Sequence, residues 1–241
     1  MAQEQNKQPL GEHLVALRKI LLRSVAAIGI AFVAVFYVAI DPLMNLITGP
    51  IVERGIQVIY TEMSAALMTK LKVAFIAGAV IASPYVFWQI WSFIKPALYA
   101  HEKKAFRLTF AATVFLFLLG VVFCYAAVYF LAVDFFLVAG ENLAVPMLSV
   151  DKYVGFLFGF LIPFGLAFEL PVVLYVTTHM GWTNYAMLAS KRKYVILAVT
   201  VMAAFLTPPD VVSQVMLGIP MLILFEIGLA VCRFVKPRKQ E

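Results

Sequence analysis

The stretch that decides the class of this protein is residues 153–176, which read YVGFLFGFLIPFGLAFELPVVLYV. Glu169 is the only charged residue in it. A run of this length and composition is typical of a helix that crosses a membrane. An ionised carboxylate is costly at membrane depth, so one that is kept there usually faces a bundle interior or a water-filled cavity. The stretch therefore predicts a membrane helix that carries a functional glutamate.

The composition of the whole chain extends this interpretation. Of the 241 residues, 63% are hydrophobic and 13% are charged, and the mean hydropathy is +0.95. Soluble domains are about half apolar and about one quarter charged. The charged residues are clustered, and they delimit uncharged windows at residues 24–40, 73–94, 108–133, 153–168, 194–209 and 211–225. The fourth window reads through Glu169 to about Val176.

These windows predict an all-α integral membrane protein with six transmembrane helices, because a spanning helix needs roughly 17–25 mainly apolar residues. We expect a single polytopic domain over residues 1–241. It comprises a cytoplasmic segment at 1–20, a six-helix bundle at 21–232 and a cytoplasmic tail at 233–241.

The placement of Lys and Arg predicts that both termini lie in the cytoplasm. With the N-terminus inside, 15 of the 19 Lys and Arg residues fall on the cytoplasmic side, and the other side receives Arg54, Lys70, Lys72 and Lys152. The net charge of +6 is therefore a consequence of topology. A nucleic-acid surface is the weaker interpretation, because no basic stretch is interleaved with exposed aromatic residues.

The sequence gives little support for catalysis or metal binding. His13, His101 and His179 are isolated and show no HExxH or Cys/His ligand spacing. No GxSxG nucleophile elbow and no P-loop lysine occur. Cys124 and Cys232 both fall within predicted helices, which argues against a disulfide framework. We therefore expect no catalytic residue, no metal and no cofactor. The first window is longer than the core of a cleaved signal, so we expect it to be a retained helix.

The last two windows predict short helices. Residues 194–206 correspond to about 13 residues, or roughly 20 Å of helix, against a hydrocarbon core of roughly 30 Å. The sixth window reaches Cys232 only by including Glu226. We expect the hairpin at 207–210 to end below the far membrane surface, where the bilayer thins locally. The alternative is that long outer loops shield this hairpin.

Two prolines lie close to Glu169 in the sequence. Pro163 and Pro171 predict bends on either side of Glu169, and bent helices favour a concave bundle. The alternative is that these prolines reflect only the general frequency of proline in membrane helices.

Four motifs in order carry a family resemblance. They read HLVALRK at 13–19, FIKPALYAHEKK at 93–104, AFELP at 167–171, and LTPPDVVSQ at 206–214 followed by IPM at 219–221 and FEIG at 225–228. On these motifs the chain, from about Leu10 to Lys236, resembles the TatC family, the multispanning subunit of the twin-arginine protein translocase.

The resemblance implies a fold, a function and partners. The fold is a six-helix, glove-like, concave bundle whose long outer loops form a cap. The function is that of a receptor for signal peptides that carry two consecutive arginines on folded cargo proteins. The implied partners are the single-span TatB and TatA subunits and further copies of the chain, and transport draws on the proton-motive force. The implied location is the prokaryotic cytoplasmic membrane.

The resemblance also implies site residues. Signal-peptide binding is expected at the N-terminal segment and the first cytoplasmic loop, with Glu12, Arg18, Phe93, Pro96, Leu98, Tyr99, His101 and Glu102. A membrane-embedded polar site is expected at Glu169 and Glu226. Partner helices are expected to dock at Thr207, Asp210 and Gln214, and the outer cap is expected to use Pro50 and Asp151.

The chemistry of arginine agrees with an acidic site. Guanidinium is always charged and pairs bidentately with carboxylates. Near the cytoplasmic surface, Glu12 and Glu102 can supply such a group. The alternative for Glu102 is a solvated charge that is balanced by Lys103 and Lys104.

The first motif departs from the family pattern, which has a glutamate two residues before its arginine. Ala16 occupies that position here, which predicts weaker binding of the arginine pair than the family pattern gives. Glu12 lies four residues earlier on the same helix face and could offer its carboxylate instead. The alternative is that Glu12 only favours the helix N-terminus, where negative charge suits the macrodipole.

Two other classes of function stay open at this point. One is a proton-coupled small-solute secondary transporter, with Glu169 as the coupling carboxylate. Such proteins often show internal repeats with matched broken helices, and this sequence shows none. The other is a structural scaffold, which predicts no ligand at Glu102.

Overall fold

The structure, a computed structural model, describes residues 10–98, 103–141, 145–206 and 210–235. Side chains are described within these ranges except at 10–14, 94–98, 103–106 and 206. The elements are α1 (Leu10–Val38), α2 (Ile40–Val52), β1 (Gln57–Ile59), α3 (Ala65–Leu98), α4 (Lys103–Phe123), a π-helix (Cys124–Tyr129), α5 (Phe130–Ala139), β2 (Met147–Ser149), α6 (Val150–Ala167), α7 (Leu170–His179), α8 (Tyr185–Ser190), α9 (Arg192–Leu206) and α10 (Val211–Phe234). The predicted all-α class is confirmed.

Five stretches of the described chain are long and apolar enough to cross a membrane. They are Val15–Val38, Ala65–Phe93, Arg107–Ala139, Val150–His179 and Val211–Phe234. They match five of the six predicted windows. The remaining window corresponds to α9, which has 15 residues, so this helix is short as expected. A sixth crossing at this position stays a prediction.

The last helix is longer than the sequence predicted. α10 has 24 residues and continues through both Pro220 and Glu226. The expectation of a short sixth helix was wrong, because it treated the charge at Glu226 as a boundary. A bidentate ion pair with Arg192 accounts for a carboxylate within this helix.

One compact unit is formed by the described parts of Met1–Leu43 and Lys70–Phe110. In this unit α1 and α3 approach closely, because a Cβ on Gly78 would lie 2.7 Å from the backbone nitrogen of Phe32. The rings of Phe32 and Phe75 lie 6.4 Å apart. Lys70 donates to Asp41 at 2.8 Å.

The second compact unit comprises the described parts of Met44–Thr69 and Ala111–Glu241. Its largest fully buried side chains lie on α2, the π-helix, α6 and α10, and include Tyr129, Phe160, Phe164, Ile51 and Leu217. These large apolar and aromatic groups fill the space between the helices. The prediction that the chain forms a single domain stays a prediction.

A short parallel sheet in the second unit was not predicted. β1 pairs with β2 in a register that places Val58 opposite Leu148. The sheet joins the segment that follows α2 to the segment that precedes α6. Strands of three residues are too short to give a recognisable alternation in the sequence.

Candidate functional site

Glu169 lies at a break in the fourth predicted span. α6 ends at Ala167 and α7 begins at Leu170. The amide of Glu169 donates to the carbonyl of Leu166 at 3.1 Å, three residues back. Pro171 accounts for the break, because proline lacks an amide hydrogen and suits the first turn of a new helix.

The two prolines near Glu169 therefore act differently. Pro171 is in the first turn of α7. Pro163 lies inside α6, which continues through it. The predicted bend near Pro171 takes the form of a helix end, whereas Pro163 causes no break.

The carboxyl group of Glu169 is half-buried within the second unit. Thr113 of α4 makes a side-chain hydrogen bond to it. The other carboxyl oxygen, Oε1, is buried and has no hydrogen-bond partner among the described residues. A buried acceptor without a partner costs about 1–3 kcal/mol. Oε1 therefore keeps an unused capacity to accept a hydrogen bond among the described residues.

Small residues let neighbouring helices approach this break. A Cβ on Gly120 of α4 would lie 2.9 Å from the carbonyl oxygen of Phe164 and 2.8 Å from the ring of Phe168. A Cβ on Gly228 of α10 would lie 3.0 Å from Cα of Pro171. Glycine at these two positions allows α4 and α10 to pack tightly beside Glu169. Sequence reasoning gave neither glycine this packing role, although Gly228 ends the FEIG motif.

The other predicted embedded carboxylate has a partner of its own. Glu226 accepts from Arg192 at two points, with Nε–Oε1 at 2.7 Å and Nη2–Oε2 at 2.9 Å. The Glu226 and Arg192 side chains are 52% and 44% exposed. Arg192 begins α9, so the pair fastens α9 to α10. Glu169 and Glu226 thus have separate partners, Thr113 and Arg192.

Two of the three residues that were predicted to dock partner helices are described, and both bond within the chain. Asp210 caps α10, with Oδ1 accepting from the amide of Ser213 at 2.7 Å. Gln214 donates from Nε2 to the carbonyl of Thr200 on α9 at 3.0 Å. Asp210 Oδ2 and Ser213 Oγ are buried without hydrogen-bond partners among the described residues. Thr207 lies outside the described residues.

Of the two residues predicted for the outer cap, Asp151 lies two residues after the end of β2. Asp151 is in the first turn of α6 and accepts from the hydroxyl of Ser149 at 2.5 Å. Negative charge at a helix N-terminus is stabilised by the macrodipole. Pro50 lies inside α2.

Most side chains of the predicted signal-peptide site are not described. Tyr99, His101 and Glu102 lie outside the described residues, and the side chains of Glu12, Pro96 and Leu98 are also outside them. The remaining two are described: Arg18 is exposed on α1, and Phe93 is half-buried on α3. Ala16, which takes the place of the family glutamate, is half-buried.

The fold and the site define a polytopic helical membrane protein with an embedded carboxylate at a helix break. Among the described residues, no cluster of His, Cys, Asp and Glu could hold a metal ion.

Comparison with known proteins shows the family. The family model described as Sec-independent protein translocase protein (TatC) matches residues 12–220. The TatC protein of Carboxydothermus hydrogenoformans is 39% identical over 237 residues, which cover 98% of this chain and 97% of that relative. The TatC protein of Escherichia coli strain K12 is 35% identical, and the match covers 95% of this chain and 90% of that relative.

Solved structures agree with the sequence relatives. A crystal structure of the twin-arginine translocase receptor TatC in the detergent DDM superposes with a TM-score of 0.85 at 38% identity. The superposition covers 91% of this chain and 99% of that one. A second TatC crystal structure gives a TM-score of 0.84 at 37% identity. The chain belongs to the TatC family.

Family membership confirms the predicted resemblance and the class of function. The chain is a multi-pass membrane protein and a component of Sec-independent, twin-arginine protein translocation. The family is that of a translocase component and is not a known enzyme family. The alternative of a small-solute secondary transporter is not favoured.

Proposed function

We propose that this chain is the receptor subunit that recognises twin-arginine signal peptides and nucleates the assembly that exports folded proteins with the proton-motive force. The observation that supports it most is the similarity, over nearly the whole chain, to solved twin-arginine translocase receptors. Recognition and transport use different parts of the chain.

Signal-peptide recognition is assigned to the cytoplasmic face. Glu102 and Glu12 offer carboxylates, and a guanidinium pairs with a carboxylate through two parallel hydrogen bonds. Exposed Arg18 lies two residues beyond Ala16 on α1. We assign Phe93, Pro96, Leu98, Tyr99 and His101 to the same binding site, because apolar and aromatic side chains around an ion pair would shield it from water.

A role in transport is assigned to the embedded carboxylate. One oxygen of Glu169 is held by Thr113, and the other is buried without a partner among the described residues. Carboxylates kept at membrane depth are commonly functional. We assign a polar side chain on a partner's membrane helix as the donor to Oε1, and the hairpin around Asp210 and Gln214 as a docking place for the same class of helix.

The partners and location follow from this role. We assign single-span subunits of the TatA and TatB type as partners, together with further copies of this chain. The location is the cytoplasmic membrane of a prokaryote, with both termini in the cytoplasm. The distribution of Lys and Arg supports this orientation.

A peptide titration tests the recognition step. The purified chain in detergent is titrated with a labelled signal peptide carrying two arginines, and with a matched peptide carrying two lysines. Glu102→Gln should weaken binding of the arginine peptide by on the order of 2 kcal/mol, since a charge-assisted pair is lost. Glu62→Gln is the matched control, because Glu62 is an exposed carboxylate on the predicted outer side.

Three results count against the assignment of Glu102. They are an unchanged affinity in Glu102→Gln, an equal loss in Glu62→Gln, and equal affinity of the unmodified chain for both peptides.

A further inference from the structure

Pro50 leaves one backbone carbonyl of α2 without its helical partner. In an α-helix the carbonyl of residue 46 accepts from the amide of residue 50. Proline has no amide hydrogen, so Leu46 cannot be satisfied in this way. The hydroxyl of Tyr125 donates to the Leu46 carbonyl oxygen at 2.6 Å. A side chain from another helix therefore replaces the missing hydrogen bond.

A second tyrosine contacts the next carbonyl of α2. The hydroxyl of Tyr153, on α6, donates to the carbonyl of Ile47 at 3.0 Å. Tyr153 is 5% exposed and Tyr129 is 0% exposed. The hydroxyl of Tyr129 donates to the Tyr153 carbonyl at 3.3 Å. These buried hydroxyl groups connect α2, the π-helix and α6 in one network.

An ion pair also holds the segment that directly follows α2. Arg54 pairs with Asp134 of α5 at 2.5 Å and lies 5.7 Å from the ring centroid of Phe130. Farther along the chain, β1 pairs with β2. Residues 46–59 are thus joined to residues 125–153, within the second compact unit, by the contacts of Tyr125, Tyr153, Arg54 and β1.

The position of Tyr125 depends on an irregular helix. Tyr125 lies in the π-helix Cys124–Tyr129, between α4 and α5. A π-turn holds more residues than an α-turn, and such turns occur mostly as single turns inside α-helices, frequently at functional sites. Within this turn Tyr125 and Tyr129 both direct hydroxyl groups to backbone carbonyls. The π-helix thus carries both tyrosines whose hydroxyl groups bond to these carbonyls.

We propose that Tyr125 is the residue that positions the outer segment 46–59. Its hydroxyl does this by donating a hydrogen bond to the Leu46 carbonyl, which Pro50 leaves without a helical partner. Pro50 and Tyr125 therefore act together. The proline leaves the Leu46 carbonyl free to accept, and the tyrosine hydroxyl bonds that carbonyl to the π-helix. The functional consequence, a fixed outer cap, rests on the proposed receptor function.

This arrangement predicts that the effect of losing the Tyr125 hydroxyl depends on whether residue 50 is proline. Tyr125→Phe removes the donor and leaves the Leu46 carbonyl unsatisfied. Pro50→Ala restores an amide that can bond to Leu46 within α2. The hydroxyl of Tyr125 should therefore matter in the presence of Pro50 and matter little in the Pro50→Ala background.

Hydrogen–deuterium exchange of the full chain in detergent, resolved by mass spectrometry, measures this dependence. Tyr125→Phe should speed exchange of peptides covering 46–59 by on the order of fivefold, the factor expected for one neutral hydrogen bond. Peptides from α10 should not change. Tyr60→Phe is the matched control, because Tyr60 is 66% exposed in the same outer part of the chain.

In the Pro50→Ala background, the same Tyr125→Phe change should speed exchange by less than about twofold. An equal effect of Tyr125→Phe in both backgrounds, no effect in either, or a rise spread evenly over the chain would overturn the proposal.

A second comparison serves if Pro50→Ala does not fold. Ile47 keeps its helical partner, so Tyr153→Phe should speed exchange of 46–59 less than Tyr125→Phe does. The reverse order would overturn the proposal. Export of a twin-arginine reporter is measured separately. Altered exchange with unchanged export would leave the positioning role intact and contradict only the role of the cap in transport.

Discussion

Replacing Gly120 by alanine should disturb the helix break at Glu169. The added Cβ would lie 2.9 Å from the carbonyl oxygen of Phe164 and 2.8 Å from the ring of Phe168. Forcing an extra carbon into a packed interior costs about 1–3 kcal/mol. Alanine is favoured over glycine within a helix by about 0.5–1 kcal/mol. The net loss of stability should be on the order of 1 kcal/mol.

A matched variant separates the clash from helix propensity. Gly155 lies within α6, and a Cβ placed there would meet nothing within 4 Å. Gly155→Ala should therefore stabilise the protein by about 0.5–1 kcal/mol. The two changes in the free energy of unfolding should have opposite signs, and the two variants should differ in this free energy by on the order of 2 kcal/mol.

The assay is thermal unfolding of the purified chain in detergent, followed by export of a reporter. Gly120→Ala should lower the unfolding temperature and Gly155→Ala should raise it. Thr113 lies seven residues before Gly120 on α4, hence on the same face, so a displaced α4 should also weaken the hydrogen bond to Glu169 and reduce export. Equal shifts of the unfolding temperature in the same direction would refute the close packing of α4 on the break.

Three further changes test other parts of the site. Glu169→Ala should abolish most export while leaving the unfolding temperature within a few degrees of the unmodified chain, and normal export would remove this residue from the mechanism. Ala16→Glu should tighten binding of a twin-arginine peptide by about 1 kcal/mol, and Glu12→Gln should weaken it; if only Ala16→Glu has an effect, Glu12 serves only the helix end. Glu226→Gln should lower stability by about 0.5–1 kcal/mol, as for a half-exposed pair, and combining Arg192→Glu with Glu226→Arg should recover part of the loss in the same unfolding assay.

The membrane class could be predicted from composition because the signal is spread over long windows. Five windows correspond to helices that are long and apolar enough to cross a membrane. The length of α10, the helix of the last window, was underestimated because the single charge at Glu226 was read as a boundary. In the structure Glu226 is bonded to Arg192, which lies 34 residues earlier. Sequence patterns show charges and do not show which distant residue will pair with them.

The embedded carboxylate was found from its isolation, whereas its surroundings were not. Thr113, Gly120 and Gly228 come from helices that are distant from Glu169 in sequence, so no local pattern connects them to it. The Tyr125–Leu46 hydrogen bond was missed for a related reason. Pro50 within α2 was the available clue, because a proline frees the carbonyl four residues before it.

Export into membrane vesicles tests the central claim most directly. Inverted vesicles that hold this chain together with TatA-type and TatB-type subunits are given a folded reporter with a twin-arginine signal peptide. The account predicts that the reporter becomes protected from added protease only when this chain is present and the proton-motive force is maintained. It also predicts that a reporter with two lysines in place of the arginines stays exposed. Equal protection of both reporters, or protection without this chain, would contradict the account.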